Sequence, residues 1–148
     1  MRAWRVVFWI LVLMLFVAQP VAAAELKDIS ETKALSDKIV QHFVKEEFNK
    51  GLDIAKAYWP LPPVEIDNLA NQINTQWSIV RQRFGSPTGT EFIREERIGK
   101  SFVRFYYLHK FENHAIYWSI TFYKPKDEWK INGLNFKDDL DSLFMPKE

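Results

Sequence analysis

SFVRFYYLHKFENHAIYWSITFYKPKDEWKINGLNF, residues 101–136, decides the fold. Apolar and polar residues alternate along it with a period of two, the spacing at which successive side chains leave opposite faces of a strand. Val103, Phe105, Tyr107, His109 and Phe111 form the more apolar row of one arm, and Ile116, Trp118, Ile120 and Phe122 that of the next. Both rows are expected on the core face. A two-residue Asn113-His114 turn satisfies that parity by pairing Phe111 with Ile116, His109 with Trp118 and Tyr107 with Ile120, whereas a three-residue turn would split the rows. A second turn around Pro125-Lys126 then sets Trp129 opposite Phe122, Ile131 opposite Ile120 and Gly133 opposite Trp118, the glycine leaving room for the indole to lie flat.

Upstream, Glu91 to Ile98 reads as another strand, joined through a Gly99-Lys100 turn. On a simple hairpin there, Arg94 and Glu96 share the inner face with Phe92 and Ile98 and become a charged pair in the cavity. The competing account is an edge strand whose charges stay in water and discourage aggregation. On the other face Glu95 is expected across from Arg104 as an ordinary cross-strand ion pair.

Before residue 88 the period is helical. Asp28 with Glu31 forms a capping pair, and the rows Leu35/Ile39/Phe43 and Val40/Val44/Phe48 make one apolar helix face, with Gly51 as its stop. A shorter helix over Leu52 to Tyr58 ends at the rigid corner Trp59-Pro60-Leu61-Pro62-Pro63. A third begins near Pro63 and carries Ile66, Leu69, Ala70, Ile73, Trp77, Val80 and Phe84 at three- and four-residue steps, until Gly85 and Pro87 terminate it. Its Asn- and Gln-rich face, with Asn68, Asn71, Gln72, Asn74 and Gln76, is expected in solvent. The tail from Lys137 is acidic and then weakly apolar at Leu140, Leu143 and Phe144, enough for one helical turn packed back on the sheet.

The amino-terminal residues have the layout of a secretory leader: Arg2 and Arg5, an apolar stretch from Val6 to Ala18, and a small-residue run ending Ala22-x-Ala24 before Glu25. The stretch is ~13 residues, short of the ~20 that cross a bilayer, so residues 1–24 are expected to be a cleaved signal peptide and residues 25–148 a single periplasmic or secreted domain. An uncleaved membrane anchor is the competing reading, and on the first reading membrane contact is confined to the leader before cleavage. The chain has no cysteine, so disulfides and a lipobox-type lipid anchor are excluded. Of the 20 Lys and Arg residues two lie in the leader, so the remainder meets 19 Asp and Glu with a formal charge of −1, which argues against nucleic-acid binding.

Helices followed by an antiparallel meander, the Phe48-x-x-Gly51 junction, Trp77 followed by Phe84-Gly85, and the closing strand Trp129-Lys130-Ile131-Asn132-Gly133-Leu134 together resemble the NTF2-like (cystatin-like, cone-shaped α+β) superfamily. The chain is similar in particular to small secreted bacterial proteins of that type over roughly Leu35 to Phe136. The resemblance implies three N-terminal helices on a curved four-stranded antiparallel sheet that encloses a conical pocket, with dimers often formed through the outer sheet face. Enzymes of that superfamily use carboxylate or Asp/His pairs inside the cone, and here the expected inner face of the central strands carries no carboxylate.

The functional expectation is therefore a binding protein without catalytic activity, taking a small apolar or aromatic ligand or a protein partner. The pocket is expected among Tyr58, Trp59, Trp77, Tyr107, His109 and Trp118, with rings supplying contact area and His109 the polar contact. In an isomerase- or hydratase-type alternative His109 is the catalytic base; in the plain structural alternative it is a core-edge histidine satisfied by a neighbour. The outward row Tyr106, Leu108, Tyr117, Thr121 and Tyr123 is a candidate interface for a homodimer or an envelope partner, or else packs under the tail. His42 and Glu46 lie four apart on one helix, but no second pair completes a metal site, and no cofactor is expected. No phosphate loop or Ser/His/Asp set is present.

Overall fold

The computed structural model describes residues 25–144, so the expected signal peptide, residues 1–24, and the last four residues lie outside the described residues. The protein is α+β: helices α1 (Ile29–Val44), α2 (Phe48–Lys56) and α3 (Pro63–Phe84) precede strands β1 (Pro87–Ile98), β2 (Phe102–Phe111), β3 (Ala115–Tyr123) and β4 (Lys130–Lys137), and a 3-10 turn, Asp141–Phe144, ends the described chain. The strands form one antiparallel sheet in sequence order, leaving β1 and β4 as edges.

Helix α1 starts where its capping box dictates: Asp28 Oδ1 accepts from Glu31 N at 2.9 Å while Glu31 Oε2 accepts from Asp28 N at 3.2 Å, satisfying two orphan amides. It ends at Val44 and not at Gly51, because the break falls at Glu46, which takes a left-handed φ of 61°. That conformation costs an L-residue about 1–2 kcal/mol, and the Glu46 carboxylate helps hold it by accepting from Trp77 Nε1 at 2.9 Å and Arg81 Nη1 at 3.0 Å. Gly51 instead lies inside α2, where a Cβ would sit 2.6 Å from Cε1 of Phe43. The glycine thus lets α2 close on α1. Helix α3 runs from Pro63 at its first turn to Gly85, whose φ of 87° turns the chain into β1.

The expected parity of the central strands is met, and their inward rows are buried together with Ile39, Phe43, Phe48, Leu52, Ile66 and Ile73 of the helices. Absolute register differs from expectation by two residues: Tyr107 pairs with Trp118, and His109 with Ile116. The two-residue turn is Glu112-Asn113, closed by Phe111 N donating to His114 O at 2.9 Å. Its position is set from outside the hairpin. Glu112 N donates to Ser86 O, Asn113 N to Phe84 O, and Ser86 N to Glu112 Oε2, at 3.1, 3.0 and 2.9 Å, so the turn is pinned to the end of α3.

Two bulges supply the other corrections. An irregularity between Thr121 and Phe122 puts Gly133 opposite Thr121 on the outer face and brings Phe136, not Gly133, opposite Trp118. In β1, which begins at Pro87, the turn to β2 spans three residues, and pairing slips again between Phe92 and Arg94. Glu96 then pairs with Arg104 and Arg94 with Tyr106, so Arg94 and Glu96 point outward instead of into the cavity, and Glu95 is not across from Arg104. β1 is an edge strand, as the competing account has it, but Arg94 and Glu96 are held against Tyr106 on the outer face instead of standing free in water.

Candidate functional site

Trp118, fully buried, is the centre around which the inner face packs, with Phe43 at 4.5 Å, Phe136 at 5.0 Å and Trp77 at 6.0 Å between ring centroids. His109 joins this cluster: its ring stacks on Phe111 at 4.5 Å and lies 5.5 Å from that of Trp77. Trp118 Nε1 donates to His109 Nδ1 at 3.2 Å. An indole N–H can only donate, so Nδ1 is the acceptor and the imidazole proton sits on Nε2. That Nε2–H has no hydrogen-bond partner among the described residues. Burial holds the His109 pKa down at about 4, so the ring is neutral near pH 7.

Of the six expected pocket residues, Trp77, His109 and Trp118 meet in this cluster. Tyr107 shares their face, but its hydroxyl donates to Asp37 of α1 at 2.7 Å, and burial together with that carboxylate pushes the phenol pKa well up. Tyr58 and Trp59 stand apart, at the start of β4, where Ile131 N donates to Tyr58 O at 2.9 Å and a recess of about 130 Å³ runs past Tyr58, Trp59 and Trp129.

A larger opening lies one layer outside the indole cluster, where the last turns of α3 stand off the ends of β3 and β4. This groove has a volume of about 440 Å³, and Val80, Phe84, Ile116 and Phe136 make its apolar surface together with Ile79, which is 56% exposed. Arg83 and Asp138 face each other across its rim, Nη1 to Oδ2 at 3.3 Å. Phe136 is at once groove wall and neighbour of Trp118 and Trp77, and Ile116 is the cross-strand partner of His109. Sequence reasoning missed Ile79 and Phe136. The signal for Ile79 was an isoleucine off the apolar stripe of α3, beside Val80 and four residues before Arg83; for Phe136 there was none without the bulge.

On the outer face Tyr106 and Tyr117 are covered by the chain itself. Arg94 lies over the Tyr106 ring at 4.7 Å and donates through Nη1 to Leu143 O at 3.1 Å, Tyr106 donates to Glu96 at 2.7 Å, and the Tyr117 hydroxyl meets Ser142 Oγ at 3.3 Å. The tail turn expected from Leu140, Leu143 and Phe144 therefore does pack back on the sheet. Leu108 is half-buried, and Tyr123, 37% exposed, stacks on Phe102 at 4.7 Å. His42 binds Glu47, not Glu46, with Nδ1 2.8 Å from Oε2; Lys50 and then His42 hold the Glu47 carboxyl at about 2. Among the described residues no group of three or more potential ligands is placed to hold a metal ion.

Comparison with known proteins adds no functional assignment: no family model, no curated protein and no solved structure matches the chain.

Proposed function

We propose that the chain is an exported, non-catalytic binding protein with an NTF2-like cone fold, and that it takes a small apolar or aromatic molecule in the groove between α3 and the ends of β3 and β4. The observation that carries this reading is the make-up of the groove. Its volume of about 440 Å³ falls within the roughly 300–1,000 Å³ of small-molecule sites, and its five apolar side chains are joined by Gln76, Arg83, Lys137, Asp138 and Asp139, which supply polar contacts to fix a ligand's orientation. An isoleucine left more than half exposed beside Phe136 and Ile116 gives a bound ring an apolar surface to cover. Export rests on the leader sequence, and the cone on the order of three helices and a bulged four-stranded meander.

The enzyme alternative draws on the unpartnered Nε2 of His109. That nitrogen is fully buried behind the groove wall, and the ring's lowered pKa makes it a weak base. An assembly role for the outer face requires Tyr106 and Tyr117, which the tail and Arg94 cover.

Titration with N-phenyl-1-naphthylamine, an uncharged aromatic fluorophore, tests the groove. Saturable binding is expected, weakened about tenfold by Ile79→Asp, which removes ~1.5 kcal/mol or more of apolar contact at a solvent-facing helix position. Val64→Asp, also exposed on α3 but outside the groove, is the control and leaves binding unchanged. Equal affinities for the parent and Ile79→Asp would remove the groove as the site.

A further inference from the structure

At the end of the sheet away from the groove, the β1–β2 turn, the β3–β4 loop and the start of α1 enclose a cleft of about 390 Å³. Four cations line it, Lys27, Arg97, Lys100 and Lys124, against one carboxylate, Asp28. That carboxylate is engaged as the helix cap, accepting from Glu31 N at 2.9 Å and Ser30 Oγ at 2.5 Å. Lys100 and Lys124 form no ion pair among the described residues. The other two have only surface partners, Glu25 at 3.6 Å from Lys27 and Glu95 beside Arg97 on its own strand. Exposed pairs of that kind contribute little and exchange readily for another anion.

The same end is apolar as well as basic. Ile98, 74% exposed, precedes the turn, Phe102 stacks on Tyr123, and Lys124 lies 5.8 Å from the centroid of Trp129. It is also where the described chain begins, held by Trp129 N donating to Leu26 O at 2.8 Å. Two unpaired lysines and two cations in exposed pairs around a cleft, with an exposed aliphatic side chain beside them, suit an anionic headgroup on an apolar body.

We propose that this cleft binds the phosphate of an anionic lipid headgroup and seats this end of the domain on an anionic membrane surface. The assignment is independent of the groove at the other end. Turn lysines that merely keep the sheet soluble would show no preference for phosphate and no response to lipid composition.

Vesicle co-sedimentation of the purified protein, with phosphatidylcholine alone and with phosphatidylcholine mixed with phosphatidylglycerol, separates these readings. Binding about tenfold stronger to the anionic vesicles is expected, falling with added salt and lost in Lys100→Gln/Lys124→Gln. Both positions lie at turns, and an unchanged near-ultraviolet circular dichroism spectrum confirms that the variant is folded. Equal binding to both vesicle types overturns the proposal. So does an anionic preference that survives in the variant. A parallel titration with inorganic phosphate, followed by amide chemical shifts at Lys100 and Lys124, distinguishes the sources. Phosphate that shifts those amides and displaces the protein from vesicles supports the headgroup site, whereas phosphate binding without any vesicle preference assigns the cleft to a soluble anion and overturns the membrane role.

Discussion

The imidazole of His109 is fully buried, with one hydrogen-bond partner among the described residues, and its burial gives stability a pH dependence with a definite sign. Folded, its pKa is lowered to about 4 by burial, against 6.5 for an unperturbed histidine. Between these values the unfolded chain binds a proton that the folded chain does not, so stability rises with pH across the interval. This contribution is complete above about 6.5, is lost as the pH falls toward 4, and amounts to on the order of 3 kcal/mol. Urea denaturation at a series of pH values from 4 to 7 measures it. His109→Leu is expected to flatten that slope while lowering stability at pH 7 by about 1–3 kcal/mol, since Trp118 Nε1 loses its acceptor. An undiminished slope in the variant would assign the effect to other groups. The inward placement of His109 was legible from strand parity alone, and so was Trp118 as a neighbour; that the indole N–H reaches Nδ1 diagonally, with Ile116 directly opposite, was not, because it depends on a register fixed outside the hairpin.

Among the elements, the α1–α2 junction gives the sharpest expectation. Replacing Gly51 by alanine improves helix propensity by about 1 kcal/mol, yet the new methyl would meet Phe43 at 2.6 and 2.9 Å, and that ring is held between Trp118 and Phe48. Overpacking of this kind costs ~1–3 kcal/mol, so a net loss of stability is expected in a thermal melt. A melting temperature at or above the parent's would mean that the ring swings aside. The third helix, the apolar faces, the caps at Asp28 and Gly85 and the inner rows of the central strands could be read from periodicity and local signals, whereas the break between α1 and α2 could not, because it falls at Glu46, a residue with no turn signature. Bulges could not, since one extra residue near Asn132-Gly133 or Ile93 leaves no mark in an alternating pattern but reverses the facing of everything beyond it. That is why Phe136 turned out to be a groove wall; Arg94 and Glu96 left the cavity because the β1–β2 turn takes three residues, and the slip at Ile93 then brings Phe92 back opposite Tyr107. The groove had the further disadvantage of being assembled from the ends of three elements, each unremarkable by itself.

For the molecule as a whole, the described surfaces divide the protein lengthwise: an apolar groove at one end of the sheet, a basic cleft at the other, and a tail across the outer face. Deleting the chain from Leu140 onward removes the Arg94–Leu143 and Tyr117–Ser142 hydrogen bonds and uncovers two buried tyrosines. A lowered urea midpoint, equivalent to about 1–3 kcal/mol, is expected together with greater self-association in sedimentation velocity. An unchanged midpoint would show that the tail adds no net stability. The pinning of the Glu112-Asn113 turn to Ser86 and Phe84 bears on the order of events in folding. Alternation alone admits two β2–β3 hairpins that differ by two residues and bury the same rows, and either can zip within microseconds. Only the docked end of α3 tells them apart. Chains that close the other hairpin first have to unzip it before the end of α3 can dock, so the register of this local hairpin is decided by a contact with a helix more than twenty residues away in sequence from its turn.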